Sequence, residues 1–456
     1  MNALGYLVLY AWFPIVLAMF AYLKHRVAVA MAFAAGWCFL PIVRLRVPSL
    51  PDYSKISATS SAVLLGTLLF HTWLFTRFRL KFIDLPILIY CASPIMSSTI
   101  NGLGVRDGLA SSLVAFVFWG MPYLAGRLHF TRLEHLRDLA IPLIVTALIY
   151  VPLCLWEIRM SPQLHRQIYG VATPGFLTNI RYGGFRPTVF MSHGLQVALW
   201  LSIAFVLTAS LWWIGRQKSM RILRFGVPLS LLAMTFFVTL VLSKSLGALM
   251  LALGGLACLF LAVQLRMRWP LLMIPVACVI YIITRSTGIW SGSHAYELAR
   301  LLDPDRANSL NFRFHHENML AEKARAQPIF GWGGWGRNRI FNEYGDDVSV
   351  VDGLWILTFG VNGLLGLVSL YTAKLAGPVL MILRMNPRSW RNDSTAAIGI
   401  AFTLICLIAA ADSLPNNMPI PVVILTLGAI SGIASNMRRT AAQPRMIHEP
   451  LRGYAA

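Results

Sequence analysis

Residues 308–338 read NSLNFRFHHENMLAEKARAQPIFGWGGWGRN and lie at the centre of a long polar segment between apolar runs. The part before Pro328 has the spacing of one amphipathic helix, on which Arg313 and Glu317 would form an i,i+4 pair. Pro328 predicts the end of that helix, because proline has no N–H and disfavours helical geometry in the residue before it. We therefore expect a large, partly helical loop over residues 285–351.

Outside this loop the chain is strongly apolar. Of its 456 residues, 57% are hydrophobic and 12% are charged, with a mean hydropathy of +0.65, whereas soluble domains average about 25% charged residues. Apolar runs of roughly 20 residues recur, which is enough to cross a hydrocarbon core as helices. We predict an all-α, polytopic transmembrane helical bundle of about 12–13 spans. The expected spans are 3–23, 27–43, 61–76, 85–98, 109–126, 139–156, 188–214, 226–242, 246–263, 270–284, 352–373, 395–411 and 420–435.

Prolines and cysteines refine this prediction. The fourth span is short and holds Pro86 and Pro94, so a broken or re-entrant helix is one interpretation. All six cysteines fall inside apolar spans. This position indicates that they pack as small buried apolar side chains and do not form disulfides or bind zinc.

The basic residues give an orientation. The net charge is +21, but Lys and Arg lie in the turns between spans rather than on one continuous face, which argues for membrane topology and against nucleic acid. With the amino terminus outside, 21 of them fall on the inner side and five in the short outer loops. The expected organisation is ten spans over 1–284, an outer loop over 285–351, three spans over 352–435 and a basic inner tail over 436–456.

Four cations in outer segments are candidate ligands for an anionic group. They are Arg181 and Arg186 before the seventh span, Lys244 in a tight turn, and Arg313 in the large loop. Guanidinium and ammonium groups suit phosphate oxygens, so together they predict a diphosphate site at the outer membrane face. The alternative for Arg181, Arg186 and Lys244 is that their side chains only reach to lipid headgroups.

Four residues are candidates for the base that an incoming hydroxyl would need: His315, His316, Glu317 and Asp352. Each has a simpler alternative. The two histidines could be ordinary solvated residues, and Glu317 could only pair with the arginine four positions earlier. Asp352 could be a helix N-cap that accepts backbone N–H bonds from the next turn.

Two tryptophans and one acidic pair complete the candidates. Trp332 and Trp335 offer flat faces that suit either a sugar ring or the membrane interface. Asp303-Pro304-Asp305 resembles the metal-binding D-x-D of many glycosyltransferases, although such pairs are common in loops. The sequence has no Gly-rich phosphate loop, H-E-x-x-H or paired CxxC, so we expect no cofactor and no metal.

Three places resemble the O-antigen ligase/polymerase superfamily of bacterial inner-membrane glycosyltransferases. Residues 181–196 resemble its Arg-containing segment before a long span. Residues 242–248, LSKSLGA, resemble its S-R-x-x-A/G turn, with Lys244 at the Arg position. Residues 313–336 resemble its R…P-x-x-G-x-G periplasmic loop. The resemblance is loose over the carboxy-terminal two-thirds, and the first 150 residues match only in hydropathy.

The resemblance implies transfer of glycans from undecaprenyl pyrophosphate at the periplasmic face of the inner membrane, usually without a metal. Ligases of the family attach the glycan to lipid A-core, and polymerases extend it. The family commonly has His-Asn at the end of the loop, where this chain reads Val351-Asp352-Gly353. Either Asp352 takes that role, or His315 or His316 does, or the chemistry differs. The missing histidine favours a polymerase over a ligase.

The expected function is therefore a membrane glycosyltransferase, with an O-antigen or exopolysaccharide polymerase preferred to a ligase. Its expected partners are a polyprenyl-diphosphate-linked glycan donor, a glycan or lipid acceptor, membrane lipids, and in one interpretation a polysaccharide-assembly complex. A transporter or flippase is the alternative from another class. It would predict repeat symmetry, interrupted helices in both halves and midplane charges, whereas the charges here gather in one outer loop.

Overall fold

The computed structural model describes residues 1–47, 50–181, 183–215, 219–222, 225–302, 304–391 and 393–437. Within these residues, nine helices are long and apolar enough to cross a membrane, and four shorter apolar helices accompany them. Each of the predicted spans overlaps one of these helices. The prediction of an all-α, multi-pass membrane protein is confirmed.

The helices and strands follow in chain order. The helices are α1 (Ala3–Tyr22), α2 (His25–Phe39), α3 (Lys55–Phe70), α4 (Trp73–Arg77), α5 (Leu85–Ile100), α6 (Val105–Ala115), α7 (Met121–His129), α8 (Leu136–Met160), α9 (Leu164–Tyr169), α10 (Gly194–Trp213), α11 (Leu229–Leu242), α12 (Leu246–Leu265), α13 (Trp269–Thr287), α14 (Ser293–Leu302), α15 (Pro304–Arg325), α16 (Leu354–Arg384), α17 (Ser394–Asp412) and α18 (Pro421–Asn436). Three antiparallel strand pairs are β1 (Arg44–Leu45) with β2 (Tyr53–Ser54), β3 (Ile180–Arg181) with β4 (Gly184–Phe185), and β5 (Ser219–Ile222) with β6 (Phe225–Pro228). A π-helical turn, Phe116–Gly120, joins α6 to α7.

Helices α10 and α17 form the centre of the bundle. In their most apolar stretches, 89% of the residues of α10 and 83% of those of α17 are buried, whereas only 22% are buried in the peripheral α13. Around them, α7 and α18 approach very closely, because a Cβ at Gly126 would lie 2.0 Å from the Leu425 carbonyl oxygen. A Cβ at Gly428 would meet the Tyr123 carbonyl oxygen at the same distance. Glycine permits this backbone contact, as in other membrane helix pairs.

The fourth predicted span is a continuous helix. Pro86 lies in the first turn of α5, where a missing N–H costs nothing, and the helix runs on through Pro94 to Ile100. The interpretation of this span as broken or re-entrant is therefore wrong.

The break instead occurs in α16. Gly363 has φ 63° and ψ −161°, which no helical residue adopts. The Ser413 carbonyl oxygen accepts hydrogen bonds from both the Leu354 N–H (3.1 Å) and the Tyr371 hydroxyl (3.2 Å). A straight helix would separate residues 354 and 371 by about 25 Å. The chain therefore doubles back at Gly363, and the single span predicted over 352–373 is corrected to two helical halves.

The glycine-rich turn after Pro328 closes this break. The N–H groups of Leu364 and Leu365 donate to the carbonyls of Pro328 (2.7 Å) and Ile329 (3.1 Å). In return, the backbone N–H groups of residues 332 and 333 donate to the carbonyls of residues 360 and 361. The backbone N–H and carbonyl groups that the break leaves without helical partners are therefore hydrogen-bonded. In an apolar environment such groups have no water to bind, so they need partners within the protein. The P-x-x-G-x-G pattern thus has a structural role here.

The connections between spans gather at two ends of the bundle. At one end, which we call the loop face, lies the segment 288–353. Asn101 Nδ2 donates to the Gly331 carbonyl there (2.8 Å), and Lys244 Nζ donates to the Arg181 carbonyl (2.9 Å). At the other end, the basic face, Arg26 pairs with Asp138.

These contacts join only segments that the sequence predicts to lie on the same side, but which face is periplasmic stays a prediction. Three basic residues of the predicted inner turns (Arg216, Lys218 and Arg224) and the predicted tail beyond Met437 lie outside the described residues. So does Asp303 of the D-x-D pair.

Candidate functional site

Three of the predicted cations lie together on the loop face. The β3–β4 hairpin carries Arg181 and ends just before Arg186, and it packs on the turn between α11 and α12. Lys244, in that turn, has a left-handed φ of 55° and donates from Nζ to the Arg181 carbonyl (2.9 Å). Arg186 is buried, and its Nη2 donates to the Lys244 carbonyl (3.2 Å). Segments about 60 positions apart in sequence therefore share one site.

His193 connects this group to Arg313. Burial, and then the positive charges of Arg186, Arg313 and Arg181, lower its pKa to about 4. All three arginines thus lie within electrostatic range of one imidazole. His193 is also the N-cap of α10, and its Nδ1 accepts from the Leu195 N–H (3.1 Å). The neutral ring then carries its proton on Nε2 and is a hydrogen-bond donor there.

We call this group the cationic cluster, and its members are Arg181, Arg186, Lys244, Arg313 and His193. Sequence reasoning did not identify His193 as a site residue. The available signal was its position in Ser192-His193-Gly194, directly after the Arg186 segment and at the start of a span.

Arg313 anchors α15 to two other loop-face segments. Its Nη1 donates to the Pro415 carbonyl (3.2 Å) and to Asn416 Oδ1 (3.4 Å), both in the connection from α17 to α18. Its Nε lies 3.6 Å from Asp352 Oδ2, and these two side chains remain 30% and 37% exposed. The pair is therefore accessible to a bound substrate.

Asp352 does not cap a helix. The N-cap of α16 is Gly353, without a side-chain capping bond, and the Leu354 N–H donates to Ser413. The N-cap alternative for Asp352 is wrong, because the α17–α18 connection has taken the donor that a cap would use. A solvent-accessible carboxylate beside Arg313 is what remains.

Glu317 belongs to a buried ion pair with a different arginine. It is 3% exposed, and its carboxylate accepts from Arg285 Nη2 (2.9 Å), Tyr281 hydroxyl (2.8 Å) and Trp355 Nε1 (3.3 Å). The predicted pairing with Arg313 is wrong, since α13 places Arg285 closer. Glu317 holds α15 against α13 and α16, and this arrangement leaves it poorly placed to accept a substrate proton.

The two histidines of α15 differ in their surroundings. His315 is exposed, whereas His316 is half-buried with its ring 4.3 Å from that of Phe312. Burial and the neighbouring His315 lower the pKa of His316, and Asp352 opposes this shift. His316 therefore lies near Asp352. Its Nδ1 is buried and has no hydrogen-bond partner within the described part of the chain.

The two candidate tryptophans also differ in their exposure and contacts. Trp332 is half-buried, and its Nε1 donates to the Lys323 carbonyl (2.9 Å), so it fixes the glycine-rich turn to α15. Trp335 is 85% exposed and lines a cavity between α5, α6 and α16. Only Trp335 of the two presents its ring where a sugar could stack.

A buried polar network supports Arg313 from within the bundle. Asn416, which accepts from Arg313, donates from Nδ2 to Asp412 Oδ1 (3.0 Å). Next to Asp412, Ser413 Oγ accepts from Lys374 Nζ. Lys374 and Asp412 are 5% and 7% exposed, and charges buried in membrane helices are costly and usually functional. The sequence signal was a lone lysine one residue beyond a predicted span.

No group of three or more His, Cys, Asp or Glu side chains suited to a metal occurs among the residues that the structure describes. The chain matches no protein-family model and no curated protein. Membership of the O-antigen ligase/polymerase superfamily therefore stays a prediction from the sequence motifs.

Proposed function

We propose that this protein is a membrane glycosyltransferase that takes a glycan from a polyprenyl diphosphate at its loop face. The observation that carries the proposal is the cationic cluster. Lys244 contacts Arg181 and Arg186, the two arginines and Arg313 lie within electrostatic range of His193, and Arg313 pairs with the exposed carboxylate of Asp352. Several fixed cations at the end of a helical bundle suit a diphosphate whose lipid chain remains in the membrane.

The proposed chemistry is one displacement at the anomeric carbon. The acceptor hydroxyl oxygen bonds to that carbon, its proton passes to Asp352, and the carbon–oxygen bond to the diphosphate breaks. The electron pair leaves with the polyprenyl diphosphate, whose added charge Arg186, Lys244 and Arg313 would stabilise electrostatically. His193 would add a neutral N–H donor from Nε2. Asp352 lies 3.6 Å from Arg313, so base and leaving group would share one charged partner.

Within this class we favour a polymerase over a ligase, because no histidine stands at the end of the loop. The acceptor would then be a second glycan, and the organism would need the protein to make long chains. In a deletion strain, short single-repeat products would support a polymerase. Accumulated unattached polymer would support a ligase.

A flippase for lipid-linked glycans is the second candidate. The break of α16 at Gly363 and the buried Lys374 and Asp412 favour it, since transporters use broken helices and intramembrane charges. Against it, the break is closed by the glycine-rich turn rather than lining an open path. Movement of a fluorescent lipid-linked sugar across proteoliposomes, without any change of its glycan, would favour the flippase.

The decisive experiment is binding of undecaprenyl diphosphate to the purified protein in nanodiscs. Arg313→Gln should weaken binding about 10- to 100-fold, the effect of losing a charge-assisted hydrogen bond. Arg337→Gln is the matched control, because Arg337 is an exposed loop-face arginine whose Nη1 donates to the Asn101 carbonyl. Equal binding by both variants would overturn the diphosphate site.

A further inference from the structure

A cavity of about 350 Å³ lies beside the proposed site. Its walls are α5, α6, the first half of α16 and the glycine-rich turn with Trp335. The volume falls within the usual range for small-ligand sites, about 300–1,000 Å³. None of the cationic cluster residues lines this cavity, so it is a separate compartment of the loop face.

The polar lining of this cavity provides both hydrogen-bond acceptors and hydrogen-bond donors, and one of the acceptors is buried without a partner in the described residues. Asn362 is 8% exposed, and its Oδ1 has no hydrogen-bond partner within the described residues. Ser97 and Thr358 give their hydroxyl hydrogens to the carbonyls of Val361 (2.7 Å) and Leu354 (2.8 Å). Their oxygen lone pairs still accept hydrogen bonds. A ligand that fits must therefore bring a hydroxyl or N–H donor for the Asn362 oxygen, and its own oxygens can accept from the donors of the lining.

This requirement excludes two obvious occupants. A hydrocarbon chain brings no donor and would leave the buried Asn362 oxygen unpaired, at a cost of about 1–3 kcal/mol. A diphosphate brings only acceptor oxygens, so it would also leave the Asn362 oxygen unpaired, and Arg44 is the one charged residue in the described lining of the cavity. A neutral polyhydroxyl group can pair with both the acceptors and the donors of the lining, and the rings of Trp335 and Trp119 suit the apolar face of a pyranose.

We propose that this cavity binds an uncharged sugar of the acceptor glycan. The assignment rests on the proposed function, because the bound sugar would supply the hydroxyl that Asp352 deprotonates. Leu354 lines the cavity and follows Asp352 by two residues, so their Cα atoms lie at most about 7.6 Å apart. The donor diphosphate and the acceptor sugar would then both lie close to Asp352.

Cysteine labelling tests the sugar assignment independently of glycosyl transfer. Ser111 lines the cavity from α6 and is half-buried. We expect Ser111→Cys in nanodiscs to react with a small maleimide, and at least one of a panel of hexyl glycosides (glucose, galactose, mannose, N-acetylglucosamine) to slow that reaction several-fold. Hexyl phosphocholine should not slow it. Tyr344→Cys, at an exposed loop position, is the control whose labelling no glycoside should change.

Each other result overturns the assignment. Equal protection by hexyl phosphocholine would make the cavity a lipid cleft. No labelling, or no protection by any glycoside, would mean that no sugar site exists there. Asn362→Leu in the Ser111→Cys background should abolish protection while keeping the cavity apolar and filled. Binding of undecaprenyl diphosphate in the same nanodiscs reports separately on the proposed function, so either hypothesis can fail alone.

Discussion

Asp352 shows how a neighbouring connection decides the role of a single carboxylate. An aspartate just before a span usually caps the helix, but here the Leu354 N–H is already bonded to Ser413. The side chain of Asp352 turns to Arg313 instead and stays 37% exposed. Because the carboxylate is exposed, it can reach a bound hydroxyl and accept its proton.

We expect Asp352→Asn to lower the initial rate of glycan transfer by about 10²-fold or more, the usual effect of losing a general base. Asp347→Asn is the matched control in the same loop. Hydrogen bonds from Arg339 and Ser349 hold the pKa of Asp347 at about 2, which makes it a poor base. Purified variants in nanodiscs, supplied with lipid-linked donor, provide the measurement. Near-normal transfer by Asp352→Asn would move the search to His316.

His193 predicts a pH dependence of stability. Its pKa is about 4 in the folded protein and 6.5 in an unfolded chain, so between these values the unfolded state binds the additional proton. Stability from this group is therefore complete above pH 6.5 and is lost as the pH falls towards 4. We expect His193→Asn, which keeps a capping side chain but cannot titrate, to lose less thermal stability than the wild type between pH 7 and pH 5. Equal losses would contradict the shifted pKa.

Single residues were predictable where a local pattern carried the information. The contact between Arg186 and Lys244 agrees with the prediction that both lie in segments on the same outer side. The partner of Glu317 was not predictable, because Arg285 lies 32 positions away on another helix and outcompetes the i,i+4 neighbour. The partner of a buried carboxylate depends on which helices pack around it, and the local sequence does not give this information.

At the level of elements, the hidden feature is the reversal of α16. Hydropathy predicts one span there, because glycine, leucine and valine predominate and polar residues such as Asn362 occur only singly. The local signal is the three glycines at positions 360, 363 and 366. The partner that stabilises the reversal, the turn after Pro328, is some 30 positions upstream. A window of sequence cannot show that pairing.

We expect Gly363→Ala to destabilise the protein by about 3 kcal/mol or more, since its backbone region is open to glycine almost alone. A Cβ at this position would also lie 2.4 Å from the Ile329 carbonyl. Gly247→Ala, in the first turn of α12 with nothing within 4 Å, is the control. Thermal unfolding of the detergent-purified variants compares them. Matching melting temperatures would show that the break is not needed for folding.

Lys374 and Asp412 join α16 to α17 through buried charge. Both line a cavity of about 20 Å³, which is enough for one bridging water. Removing one partner of a buried pair leaves an uncompensated charge and costs about 3–5 kcal/mol. We expect Lys374→Met and Asp412→Asn each to destabilise strongly, and the double variant to lose less than the two combined. Thermal stabilities of the four proteins give the cycle, and simple additivity would mean that the two groups do not interact.

For the whole molecule, the sequence predicted an all-α, multi-pass protein, because length and hydropathy indicate apolar helices, and each predicted span overlaps such a helix in the described residues. The alternation of connections also agrees with the contacts of both faces, such as Asn101 with Gly331 and Arg26 with Asp138. The distribution of basic residues predicts which face lies on which side of the membrane. The contacts within the bundle group segments on one face but do not give its side. A direct measurement of accessibility is required.

We expect the loop face to be periplasmic, because the short connections of the opposite face hold most of the basic residues. The side chain of Tyr344 is 89% exposed in the wild type, so Tyr344→Cys should react with an impermeant maleimide in intact spheroplasts. Glu134→Cys, at an exposed position of the basic face, should react only after lysis. The native cysteines of the described residues are buried or half-buried, so the wild type should give little background. The reverse pattern would place the cationic cluster in the cytoplasm, where a glycan already exported could not reach it, and the proposed reaction would fail with the topology.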